Sequence, residues 1–224
     1  MVLETMNEFF NNRAETYDQH RREKAASFPG MYEVISTIIK PTTRQIFILD
    51  LGCGTGLELK YIFQAAPNAV IEAVDISEKM LMQLKHKFMA QNRQIIFKCA
   101  SYLDILYPLN HYDLIISIMS LHHLVIDERV WLYQKIYNAL KPDCLFIEGD
   151  YYVSKKTMKE NMRKFKQITK SKNYSNTSYY HIDIPVEFDS QQKYLTQTGF
   201  IDQEIYYRQD LDILSSVRKP AIYH

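Results

Sequence analysis

The residues whose types and spacing carry the most specific chemistry lie in Ile48-Leu49-Asp50-Leu51-Gly52-Cys53-Gly54-Thr55-Gly56, an apolar run that breaks into alternating glycines. Three of the six glycines in the chain fall between Gly52 and Gly56. Without Cβ atoms, those positions allow a tight strand-to-helix turn and let a ligand lie against main-chain N–H groups, beside the positive end of the following helix. A dinucleotide fingerprint of the GxGxxG kind needs glycine where Leu57 stands, so the run is a poor match to a pyrophosphate-binding turn. A second apolar run, Ile71-Glu72-Ala73-Val74-Asp75, ends in an acid 25 residues after Asp50. That is close to the separation of about 20 residues at which a carboxylate meets ribose hydroxyls in related nucleotide folds.

Other groups are less specific. His122 and His123, in Ser120-Leu121-His122-His123-Leu124, follow an apolar run, and a neutral imidazole can accept a proton from an oxygen or nitrogen nucleophile. A packing role for the pair is the favoured reading. Cys53, Cys99 and Cys144 are widely spaced and form no CxxC pair, which predicts reduced thiols and neither a disulfide framework nor a zinc site. The sequence has no His, Glu and Cys spacing of the metal-binding kind and no Gly-x-Ser-x-Gly nucleophile elbow, so no metal is expected.

These residues need elements to hold them. Met6, Phe9, Phe10, Ala14 and Tyr17 recur at helical spacing, as do Met31, Val34, Ile35 and Ile38 before Pro41, which predicts two N-terminal helices. From Gln45 the apolar runs shorten to strand length, at Ile46–Leu51, Ala69–Asp75, Ile95–Lys98, Tyr112–Met119 and Leu145–Ile147. Helix-length stretches separate them, the alternation of βαβ units around a parallel sheet buried on both faces. Ser77 is placed to cap one helix, and another, Glu128–Lys141, stops at Pro142. A lysine-rich amphipathic segment, Lys155–Lys172, and a tyrosine-bearing stretch, Asn173–Tyr180, then form an inserted cap. A helix over Phe188–Thr198 ends at Gly199, and the runs Ile201–Tyr207 and Leu211–Val217 close the chain as strands.

With these elements around it, the glycine turn and the acid-tipped second strand resemble those of class I S-adenosylmethionine-dependent methyltransferases of the small-molecule type, over about Phe10 to Lys219. The resemblance implies a cofactor site in which Asp50, Gly52, Gly54 and Gly56 form the turn against the methionine and ribose portions. Asp75 would hold the ribose, and Ile76 and Met80 would sandwich the adenine. Ser101 and Tyr102 occupy the place where such enzymes usually present an Asp to the adenine amine, and the main-chain carbonyl near Ile118 would receive the methionine ammonium. Arg13-Ala14-Glu15-Thr16-Tyr17-Asp18 resembles a segment that closes over the cofactor, with Arg13 or Tyr17 meeting the methionine carboxylate. Lys141-Pro142-Asp143-Cys144 resembles the Lys-Pro-Gly-Gly turn before the fifth strand, with both glycines replaced.

The expected architecture is a Rossmann-like, doubly wound, mostly parallel seven-stranded α/β sheet with an antiparallel last strand and a helical cap. It forms a single methyltransferase domain over residues 1–224, divided into an N-terminal helical cover (1–40), a cofactor-binding core (41–153), an inserted cap (154–184) and closing helix and strands (185–224). The expected reaction transfers the methyl of S-adenosylmethionine to an O, N, C or S nucleophile of a small molecule, leaving S-adenosylhomocysteine. An RNA-modifying enzyme and a catalytically silent cofactor-binding regulator are the alternatives. A formal net charge of +1 and the lack of an Asn/Asp-Pro-Pro-Tyr run after the fourth strand argue against a nucleic-acid partner. With no apolar stretch of signal-peptide or membrane-span length, a cytoplasmic protein without a membrane partner is expected. The acceptor, the acceptor atom, a base role for either histidine and the oligomeric state are not legible.

Overall fold

Short β-branched runs, apolar on both sides, pair into the centre of a seven-stranded sheet of order β3-β2-β1-β4-β5-β7-β6. The computed structural model describes residues 4–24, 29–172 and 180–221. The strands are β1 (Phe47–Leu51), β2 (Val70–Asp75), β3 (Ile95–Cys99), β4 (Tyr112–Ile118), β5 (Leu140–Tyr151), β6 (Ile201–Gln209) and β7 (Asp212–Arg218). The first five are parallel, while β7 runs antiparallel between β5 and β6. Because successive side chains alternate between faces, each strand feeds two cores. Ile48, Ile71, Ile116 and Ile147 face one, and Leu49, Leu51, Ile115 and Phe146 the other.

The described helices are α1 (Met6–Asn11), α2 (Tyr17–Lys24), α3 (Gly30–Glu33), α4 (Ile35–Ile38), α5 (Leu59–Ala65), α6 (Glu78–Lys87), α7 (Ile126–Ala139), α8 (Lys155–Lys172) and α9 (Phe188–Thr198). Leu59 and Ile62 of α5 and Leu84 of α6 cover the first face, and Leu132, Tyr133 and Ile136 of α7 the second. Ser77 caps α6 by accepting from the Met80 N–H at 3.1 Å. Gly199 ends α9 at φ +109°, in the left-handed region. No helix among the described residues is long and apolar enough to cross a membrane.

The N-terminal pattern needs correction. Where one helix was expected through Tyr17, turns at residues 12–16 separate α1 from α2, and Val34 divides the next pattern into the single turns α3 and α4. What fixes α1 is a capping box at its start: Thr5 Oγ1 accepts from the Glu8 N–H, and Glu8 Oε2 accepts from the Thr5 N–H. Helix α7 ends at Ala139, and β5 begins at Leu140, well before the expected strand start at Leu145. The sheet register shifts there, and Asp143 adopts φ +61°, a left-handed conformation that short polar residues tolerate. Arg218 Nη1 steadies it by donating to the Asp143 carbonyl at 2.9 Å.

Candidate functional site

The carboxyl ends of β1, β2 and β4 share one edge of the sheet. Strand order reverses between β1 and β4 there, the topological switch point at which open α/β sheets bind ligands. At the end of β1, Gly52 N and Cys53 N both donate to the Val74 carbonyl, at 2.8 and 3.0 Å, folding the turn onto β2. Gly54 N donates to Asp75 Oδ2 at 2.8 Å, and Ser77 N to Asp75 Oδ1 at 2.7 Å. Asp75 thus ties the glycine turn to the start of α6. Burial pushes its pKa up to about 6 against the pull of those two amides.

A cavity of about 420 Å³ opens over this turn. Of the residues expected at a cofactor site, Tyr17, Gly52, Gly54, Asp75, Ile76, Met80, Ser101 and Tyr102 line it. Burial raises the Tyr17 hydroxyl to about 12. Four others lie elsewhere. Arg13 is on the surface, donating to the Phe9 carbonyl at 2.9 Å and pairing with Glu4 at 3.4 Å. Gly56 faces Leu84 in the core, Asp50 is buried under the turn, and Ile118 lies beneath Met119, which lines the cavity at φ +54°. Asp50 and Glu58 are both buried, and burial is the main cause raising both pKa values.

The N-terminal cover is fastened to this floor by polar contacts that no apolar pattern announces. Asn11 Oδ1 accepts from Ser77 Oγ at 2.7 Å and from Lys79 N at 3.1 Å, at the amino end of α6. Asp18 bonds Thr55 Oγ1 in the glycine turn and pairs with Lys87 at 2.6 Å. Asn11 and Asp18 therefore hold Phe10 and Tyr17, which line the cavity, over the turn.

The remaining wall of the cavity is formed by Met6, Phe10, His123, Glu128, Phe165, Tyr180 and Ile182, drawn from distant parts of the chain. In α8, Met158 packs with Tyr152, Val186 and Ile213, and Phe165 and Thr169 reach the cavity. Lys155, Lys159, Arg163, Lys166 and Lys170 are all exposed. Tyr174 and Tyr179 of the expected tyrosine-bearing stretch lie outside the described residues, while Tyr180 is half-buried against the cavity.

Chain 180–186 crosses the mouth as a strap. His181 N donates to the Glu4 carbonyl at 3.0 Å, and Ile184 N donates to the His122 carbonyl at 2.7 Å. Below the strap, His122 Nδ1 lies 2.7 Å from Asp150 Oδ1, and His123 Nδ1 lies 3.2 Å from Asp183 Oδ1. Burial and the adjacent His122 push His123 down to about 4, so it is neutral near pH 7. The Asp183 carboxyl is held well below its usual range: burial opposes this, but contacts with His123, His122 and Tyr151 prevail. Asp183 was not legible as a site residue, because it stands in an irregular segment with no motif around it.

Residues 48–143 match the family described as Methyltransferase domain. The chain is 32% identical over 139 residues to malonyl-[acyl-carrier protein] O-methyltransferase of Priestia megaterium, covering 59% of this chain and 46% of that protein. It is 31% identical over 129 residues to phosphoethanolamine N-methyltransferase of Plasmodium falciparum, covering 57% and 47%. It therefore spans about half the length of these relatives. In fold it superposes on Haemonchus contortus phosphoethanolamine N-methyltransferase 2, solved with phosphomonomethylethanolamine and S-adenosylhomocysteine. The TM-score is 0.65 at 15% identity, over 94% of this chain and 59% of that one. These matches support a methyltransferase of the class I, S-adenosylmethionine-dependent kind.

Proposed function

We propose that this protein is an active class I methyltransferase that moves the methyl group of S-adenosylmethionine to an O, N, C or S nucleophile of a small molecule. The observation that carries the reading is that one cavity is lined both by the Gly52–Gly54 turn and Asp75 and by the aromatic and histidine side chains of Phe10, His123, Phe165 and Tyr180. Its volume of about 420 Å³ falls in the range of small-molecule sites. When bound, the cofactor supplies an electrophilic methyl on a sulfonium, so the protein's task is alignment and exclusion of water.

The residues present fit that cofactor. Each Asp75 oxygen accepts one backbone N–H and keeps a lone pair for a ribose hydroxyl. Ile76 and Met80 offer apolar surface for adenine, Ser101 and Tyr102 its polar edge, and Tyr17 a roof, all within the same cavity. Asp50 and Gly56 act through the turn, with no contact of their own, and Ile118 through the backbone beside Met119. Arg13 packs on Phe9, its guanidinium 3.6 Å from the ring centre, and steadies the cover.

A small acceptor suits the wall of Phe10, His123, Phe165 and Tyr180. The basic face of α8 points to solvent, which weighs against a nucleic-acid partner at this cavity. The relatives' names, malonyl-[acyl-carrier protein] O-methyltransferase and phosphoethanolamine N-methyltransferase, support a polar acceptor group, small in the second case. Three free cysteines suit a cytoplasmic protein, and the N-terminal cover, core, cap and closing strands act as one methyltransferase domain. The test is calorimetry with S-adenosylmethionine, S-adenosylhomocysteine and NADH, followed by methyl-labelled cofactor in a cell extract. Label in a small-molecule fraction is expected; binding of NADH alone, or label confined to RNA, would overturn the reading.

A further inference from the structure

We propose that His122, His123 and Asp183 form a binding site for a divalent transition metal of the zinc kind, with an open coordination position facing the cavity. Among the described residues these three place one ligand atom each within 4.8 Å of one another. Asp183 Oδ1 is 3.2 Å from His123 Nδ1 and 3.9 Å from His122 Nε2. Around a tetrahedral ion with bonds near 2.1 Å, ligand atoms stand about 3.4 Å apart, so small side-chain rotations close the set.

Two further observations point to an ion. Asp150 takes both the His122 backbone N–H, at 2.9 Å, and Nδ1, at 2.7 Å. An ionised Asp150 keeps the proton on Nδ1 and turns the Nε2 lone pair toward Asp183, the carboxylate–histidine support that orients metal ligands. His123 Nδ1 is buried and makes no hydrogen bond of acceptable geometry, although Asp183 is close. A buried ring nitrogen beside a carboxylate it does not properly engage is better satisfied by a cation.

The frame is stiff. The two histidines sit in the short turn Leu121–His123 after β4, and the Ile184 bond to the His122 carbonyl fixes the strap carrying Asp183. Three protein ligands and an open fourth position is the arrangement of a reactive zinc site. Since His123 lines the cavity, the open position would face it. It would hold an oxygen or sulfur atom of the acceptor, narrowing the class to small molecules that present an anionic oxygen or a thiolate. Only this use of the ion rests on the methyltransferase reading; its binding does not.

The experiment uses the full chain without an affinity tag, stripped with a chelator and titrated with Co²⁺ by visible absorption and with Zn²⁺ by calorimetry. The wild type should bind one ion per chain and show the ligand-field bands of low-coordinate cobalt. His122→Ala and Asp183→Asn should each lose more than tenfold in affinity, and Asp150→Asn on the order of tenfold to a hundredfold. Circular dichroism and S-adenosylmethionine affinity of the same variants report whether the fold survives, and His123→Gln replaces any variant that does not fold. Lack of stoichiometric binding by the wild type, or equal affinity in folded His122, His123 and Asp183 variants, overturns the site. Metal binding without S-adenosylmethionine binding would sink the methyltransferase reading and leave the metal site standing.

Discussion

Replacing Gly52 and Gly54 separately by alanine should divide the cost of folding the turn from the cost of filling its ligand face. Both positions have positive φ, +72° at Gly52 and +50° at Gly54. An L-residue held there costs about 1–2 kcal/mol. Beyond that the two differ. A Cβ on Gly52 would lie 2.0 Å from Ser120 Oγ and 2.6 Å from Ser120 Cβ, whereas one on Gly54 has no atom within 4 Å. Overpacking of the first kind adds about 1–3 kcal/mol, for a total of about 2–5 kcal/mol at Gly52. At roughly 2–4 °C per kcal/mol for a chain of this size, Gly54→Ala should lower Tm by about 2–8 °C and Gly52→Ala by about 4–20 °C. Ser120→Gly in the Gly52→Ala background should recover the overlap and leave the backbone cost. Affinity should rank the other way relative to stability, because the Gly54 methyl projects into space where the cofactor is proposed to lie. A loss of tenfold to a hundredfold, about 1.4–2.8 kcal/mol, is expected by calorimetry with S-adenosylmethionine. If Gly54→Ala binds as the wild type does, the turn is not the cofactor's contact surface, whatever the fold.

Asp75→Asn should weaken S-adenosylmethionine by about tenfold to a hundredfold, since one carboxylate oxygen that accepts a hydroxyl becomes a donor. With the Asp75 pKa raised to about 6, wild-type affinity should be flat above about pH 7 and decline below it, and calorimetry between pH 5 and 8 should find this slope missing in the variant. The buried carboxyls Asp50 and Glu58 are both raised, so their protonated form favours the folded state at low pH and that contribution is lost as pH rises. Glu58→Gln should therefore gain more Tm over wild type at pH 8 than at pH 5; an equal change at both would refute the shared burial. Arg129, fully buried and 3.0 Å from Glu148, should cost about 3–5 kcal/mol as Arg129→Met, because Glu148 is left without its counter-ion. Chemical unfolding should show that loss, and a cost below about 1 kcal/mol would mean that Tyr133 alone satisfies Glu148.

The legible part of the site was the part whose chemistry demands particular residue types in one short stretch. A backbone that must approach a ligand needs glycine, and a ribose needs a carboxylate at a strand end, so Gly52, Gly54 and Asp75 stood out before any fold was known. The parallel sheet was legible for a similar reason: strands buried on both faces must be apolar at every position, and Ile48–Leu51 and Leu114–Ile116 are nearly so. Contacts that depend on where the chain returns carried no such mark. Asn11 and Asp18, which fasten the cover to α6 and Thr55, are ordinary polar residues on an amphipathic pattern, and the turns between them are invisible to helical spacing. Arg13 was legible only through its neighbours, and the geometry gives it to Phe9 and Glu4. Asp143 shows the converse, a turn whose expected glycine is absent while its left-handed backbone persists, because Arg218 and the adjoining strand hold the position. The remaining cavity wall, of Met6, Phe10, His123, Glu128, Phe165, Tyr180 and Ile182, is the extreme case. Its residues come from α1, the turn after β4, α7, α8 and the strap, and each has the composition of plain core or surface. What they can accept is therefore set by tertiary placement, and an acceptor can be sought only from the shape and chemistry of the assembled cavity, beginning with the histidine and carboxylate cluster at its mouth.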